Sequence, residues 1–176
     1  MNATIATLAA TAVLVSGLSS ALATEQYPVL EAYQKLAIDL AQKGTKTSGD
    51  TKSQGDLDLL TAGARTLLNY GIEIMKIYGR RNPKCQPQFD VFLREVPDMG
   101  KQSMEILHKR YHDGDGLPVG PKHCYFGRSE IVHPVMILSR LSGPWSAKAR
   151  DAIVDDFNEV ARHINRIKKN LENPPN

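Results

Sequence analysis

The chain has 176 residues, 41% hydrophobic and 23% charged, with a net charge of +3. Ordinary apolar content and mixed charges exclude a disordered chain and a repeat array. The small positive excess gives no ground for nucleic-acid binding.

Residues 1–23 contain no charged side chain and run through Ile5, Leu8, Val13, Leu14, Val15 and Leu18 to Ser19, Ser20, Ala21, Leu22 and Ala23. Small residues bracketing Leu22 form the small-x-small pattern of a signal-peptidase site, so the sequence predicts a cleaved signal peptide over 1–23. One helical domain, 24–176, then works in the periplasm. The alternative is a membrane anchor, because no Lys or Arg opens the leader and roughly 19–20 apolar residues can span a bilayer. Thr7, Thr11, Ser16 and Gly17 weaken that insertion, and no second apolar span follows. About 150 residues remain, enough for a single core burying roughly 70% of the unfolded surface.

Periodicity near 3.6 recurs and no alternating β-branched run is present, so the fold class is all-α. A first helix is expected over 28–42, with Leu30, Tyr33, Ala37 and Leu40 on one face and Gly44 as its stop. A polar loop over 44–55 follows. The second helix, capped by Asp56, carries Leu57, Leu60, Ala64, Leu67, Gly71, Ile74 and Tyr78, widened by Leu59, Leu68, Ile72 and Met75. Residues 79–83 end it. A third helical region spans 88–111, expected to break or kink at Pro97, with Asp98 as the cap of a restart carrying Met104, Leu107 and Tyr111. After a glycine- and proline-rich connection over 113–126, a fourth helix covers 128–141 with a bend at Pro134. A last helix covers 146–171, with Ile153, Phe157, Val160, Ile164, Ile167 and Leu171 as its stripe. Its acidic amino half (Asp151, Asp155, Asp156, Glu159) and basic carboxyl half (Arg162, Arg166, Lys168, Lys169) match the helix dipole. The expected architecture is an irregular bundle of four to five helices with one disulfide, Cys85–Cys124, closing a loop of about 40 residues.

Chemistry concentrates after residue 107. His108 and His112, four apart on a helix, share a face and offer two ligands for Zn²⁺ or Cu²⁺, with Asp115 or His123 completing the shell from the loop. No Glu follows His108, so this is not the metalloprotease arrangement. The run from Asp113 to Gly116 lacks the later ligands of a calcium loop, Leu117 and Cys124 standing in two of those places. No Cys-x-x-Cys-His motif attaches haem. A non-covalent haem would need His163 paired with Met75, Met104 or Met136, which sit at expected core positions. Hydrolase motifs are missing. Tyr125 and Phe126, beside the disulfide, form a candidate binding loop.

These features predict an exported accessory protein of the cell envelope, an adaptor, inhibitor or chaperone-like factor, with no resident cofactor. Its partner is another envelope protein or a small ligand. The alternative is a metal-binding bundle using His108, His112 and the following loop. An enzyme whose site is assembled across helices is the third reading.

Overall fold

A computed structural model of the chain describes residues 27–47 and 53–175; the expected leader lies outside them. Helix α1, Pro28–Lys46, starts on a proline whose missing amide hydrogen costs nothing in a first turn. Leu30, Tyr33, Ala37 and Leu40 are buried on one face, as their spacing requires. The helix runs through Gly44, its expected stop. A Cβ there would lie 2.8 Å from Val154 Cγ2, so the glycine serves close packing.

Helix α2, Gln54–Arg81, is capped by Ser53 rather than Asp56. Ser53 Oγ accepts from the Asp56 amide (3.1 Å) and donates to Asp56 Oδ2 (2.7 Å), so Asp56 serves one turn inside the helix. Leu59, expected to widen the apolar stripe, is exposed.

A 3₁₀ turn, Pro83–Cys85, leads into α3, Gln86–Met99. Pro97 does not break α3, because it sits so close to the carboxyl end that its ring disturbs only the final turn. The restart is capped by Ser103, whose Oγ accepts from Ile106 N (3.3 Å), and not by Asp98. Helix α4, Met104–Ile106, continues as a π-helical turn, Leu107–His112.

Helix α5, Cys124–Ser142, begins earlier than the expected Arg128, at a residue fixed by its bridge to Cys85 across a Cα–Cα distance of 5.4 Å. Pro134 lies inside it. Ser146 caps α6, Ala147–Glu172, with Oγ accepting from Ala149 N (3.1 Å).

Cross-helix contacts fix the topology. Leu40 fills the space above Gly63 and Arg81 reaches Tyr27, so α1 and α2 run antiparallel. Gly71 meets the Glu130 backbone and the Tyr78 hydroxyl donates to His123 O, so α2 and α5 do the same. Ser129 meets His163 and Arg140 meets Asp156, pairing α5 with α6 in opposite directions. Lys168 binds Glu31 and Gln34 binds Ala161 O, which closes the square of α6 on α1. The long helices α1, α2, α5 and α6 therefore form an up-down-up-down bundle, with α3 and α4 inserted between α2 and α5. Among the described residues that makes six helices where four to five were expected, the extra one being the short α4.

The disulfide fastens the insert to the bundle, and closing its loop is worth about 4 kcal/mol in the chain-entropy account. No described helix is long and apolar enough to cross a membrane.

Candidate metal centre

Helix α5 is buried on all sides from Gly127 to Ile137. Its polar residues there are almost wholly shielded from solvent, so each needs a protein partner or stays largely unpaired. Tight packing makes the burial possible: a Cβ on Gly71 would stand 2.1 Å from Glu130 O. The Tyr33 hydroxyl donates to the same carbonyl (3.0 Å).

Three imidazoles gather on the α6 side of α5. His133, 2% exposed, has Nδ1 2.9 Å from Asp156 Oδ1, and Asp156 is also bound by the Arg140 guanidinium. A carboxylate tied to a guanidinium only accepts, so His133 Nδ1 carries the donated proton. His112 repeats the arrangement with Asp113 Oδ1 at 2.8 Å. Ser129 Oγ donates to Phe126 O (3.0 Å) and accepts from His163 Nδ1 (2.8 Å).

With the three Nδ1 atoms engaged as donors, the Nε2 atoms are left to face the cluster. His133 Nε2 lies 3.6 Å and His163 Nε2 3.5 Å from Glu159 Oε1. The Tyr125 hydroxyl bridges His112 Nε2 (2.8 Å) and Glu159 Oε1 (3.0 Å), and its single proton can serve only one of them fully. His133 Nε2 has no hydrogen-bond partner among the described residues.

The electrostatics follow from burial and proximity. Burial opposes charge on His133, but Asp156 and Glu159 overcome it and raise its pKa to about 9. The His133 imidazole in turn holds Glu159 down at about 2, against the opposing effect of burial. Desolvation lowers His163 to about 4, so it is neutral at pH 7. Tyr125 is pushed up by burial and by Glu159. Glu130, 0% exposed, has no partner in hydrogen-bonding geometry at either carboxyl oxygen, and burial raises its pKa well above the usual range against the weaker opposing pull of the nearby Tyr33, His133 and Ser129 side chains. Its Oε1 stands 4.0 Å from His163 Nδ1.

One nitrogen each from His112 and His133 and one oxygen from Glu159 lie within 4.8 Å of one another. Ligands about 2.0–2.1 Å from a tetrahedral Zn²⁺ are about 3.4 Å apart, so the 3.6 Å His133–Glu159 separation needs little closure. The carboxylates behind His112 and His133 match the outer shell that orients ligating imidazoles in metal proteins.

Of the ligands expected from sequence, only His112 joins this cluster. His108 is exposed, its ring 5.6 Å from that of His112. The π turn, marked by Asp113 N bonding His108 O (2.8 Å), gives this segment a wider turn than the α-helical spacing assumed. Asp115 is exposed, with its amide bonded to Lys109 O. His123 packs edge-on against Tyr78 beside the disulfide. It lies near both bridged cysteines, but their sulfurs are not thiolates and cannot ligate as such. Tyr125 and Phe126 stand in the first turns of α5 rather than in a loop. Tyr125 enters the cluster, and Phe126 packs on the His163 ring at 5.4 Å. Asp156 and Glu159, assigned to the helix dipole, turn inward. The overlooked signal was spacing: Asp156, Glu159 and His163 at i, i+3 and i+7, facing Glu130 and His133 at i and i+3.

Comparison of the chain with family models, curated proteins and solved structures finds no match.

Proposed function

We propose that the bundle binds one divalent transition-metal ion of the Zn²⁺ or Cu²⁺ class through His112 Nε2, His133 Nε2 and Glu159, as a metal-binding protein of an oxidising compartment. One observation carries the reading: imidazoles whose Nδ1 protons are already donated turn their Nε2 atoms toward a single carboxylate oxygen. Imidazole nitrogen with carboxylate oxygen suits these borderline ions. His163 supplies a further neutral nitrogen beside Glu159.

Without metal, the proton on His133 Nε2 offsets Glu159; a metal ion takes its place. The Cys85–Cys124 bridge supports the oxidising setting, and with it the export reading. An accessory role in the envelope, periplasmic or membrane-anchored, fits a carrier of such an ion.

Calorimetric titration of the disulfide-intact, metal-free protein with Zn²⁺ tests the assignment. The expected result is about one ion per chain, with about one proton released at pH 7. His133→Ala and Glu159→Gln should each weaken binding by about tenfold to a hundredfold, while His108→Ala leaves it unchanged. Retention of full affinity by both site variants, or no stoichiometric uptake of Zn²⁺ or Cu²⁺, would overturn it.

A further inference from the structure

A cavity of about 500 Å³ opens between the start of α5 and the 113–122 connection. His112 and Tyr125 lie in its wall and in the metal cluster, so the two share a border. Arg128 also lines it, although only 5% of the residue is exposed. Its Nη1 donates to Gln88 Oε1 (2.6 Å) and its Nη2 to His112 O at a long 3.4 Å. Its Nε is buried with no partner.

Among the described residues no carboxylate lies within 4.0 Å of this guanidinium. Asp113 acts on it only from farther away, and its carboxylate is already held by His112 Nδ1. Gly114, at φ +93°, brings the connection onto the guanidinium so closely that a Cβ would stand 3.0 Å from Nη2. The fold thus builds a cradle around a cation and leaves its charge without a counter-ion. A buried guanidinium is normally paired, because desolvating an unpaired charge costs several kcal/mol.

We propose that this cavity binds a small organic carboxylate, gripped by Arg128 at the border of the metal centre. A carboxylate matches the planar fork of one guanidinium, and a single unpaired cation calls for a monoanion. Leu117, Pro118, Pro121 and Tyr125 give the ligand's carbon skeleton an apolar wall, which a bare inorganic anion would not use. Lys122 adds positive charge from an exposed position.

The test is an NMR titration of the metal-free, disulfide-intact protein with butyrate, using neutral butyramide and inorganic phosphate as comparators. Butyrate should shift the Arg128 Nε–H signal and the amides of Gln88, Leu117, Val119 and Tyr125 saturably; butyramide should not. Arg128→Gln should weaken butyrate by about tenfold to a hundredfold and leave Zn²⁺ uptake intact, which separates this site from the metal reading. The wild-type comparison decides the matter even where Arg128→Gln does not fold. Equal binding of butyramide, tighter binding of phosphate, shifts clustered elsewhere, or no saturation with butyrate would each overturn the proposal.

Discussion

Helices α5 and α6 pack side by side, yet buried α5 and the outer face of α6 treat polar side chains in opposite ways. On α6 the apolar residues Ile153, Phe157, Val160, Ile164 and Ile167 form one stripe, and Arg162, Arg166 and Lys169 stand in water. Those cations need no partner, so their presence says little about function. On α5, Arg128, Ser129, Glu130 and His133 are all buried, and each has to be accounted for. Ser129 and the Nδ1 of His133 find hydrogen-bond partners, whereas the Glu130 carboxylate, the Nε2 of His133 and the Nε of Arg128 do not. A polar group on an exposed face is inexpensive, while one buried without a partner must be sustained by the rest of the fold.

Substitutions that separate α5 from α2 should have the largest effect. Gly71→Ala would drive a methyl group into Glu130 O, and the helices cannot part without loosening the core. A loss of about 3 kcal/mol is expected, read from urea unfolding. A loss below about 0.5 kcal/mol would mean that the buried helix is far more compliant than its packing indicates.

The pH dependence of the metal-free protein comes next. Glu130 and His133 both have folded pKa values above their unfolded ones, so each favours folding at low pH and loses that contribution as pH rises. His163 and Glu159 are lowered, and their contributions grow as pH rises from about 4 to 6.5 and from about 2 to 4.5. Above pH 6.5 nothing among these four offsets the first pair. Stability should therefore fall from pH 6.5 to 9, His133 alone contributing up to roughly 1.4 kcal/mol per pH unit below its folded pKa and Glu130 acting in the same direction. Glu130→Gln should make that fall shallower, and unfolding curves at several pH values in this window measure it. An unchanged slope would show that Glu130 is already ionised in the fold.

The smallest effect belongs to α6. Arg166→Ala removes an exposed cation and should change stability by no more than about 0.5 kcal/mol by the same urea measurement. A larger loss would blur the contrast between the two helices.

Where the chain is amphipathic, the fold was legible. The stripes of α1 and α6 and the central stripe of α2, Leu59 excepted, fell on the expected residues, because one wet and one dry face leave a 3.6-residue signal. The cysteine pair was legible from its even number in a chain read as exported. Helix boundaries were less so, since Ser53 rather than Asp56 caps α2 and Gly44 serves packing rather than termination. His112 was found by its spacing from His108, but its partners lie on α5 and α6 and no local pattern joins them to it.

The sequence by itself determined an all-helical chain, its main apolar faces and a cysteine pair suited to bridging, because those depend on neighbours within one helix or on composition. Only the tertiary structure decided which polar residues lose water. Antiparallel packing of α5 against α2 and α6 buries Glu130 and His133, turns Glu159 inward and leaves Arg128 beside a cavity. Whether a side chain is solvated or stranded depends on what packs over it, and in this bundle that cover comes from distant parts of the chain.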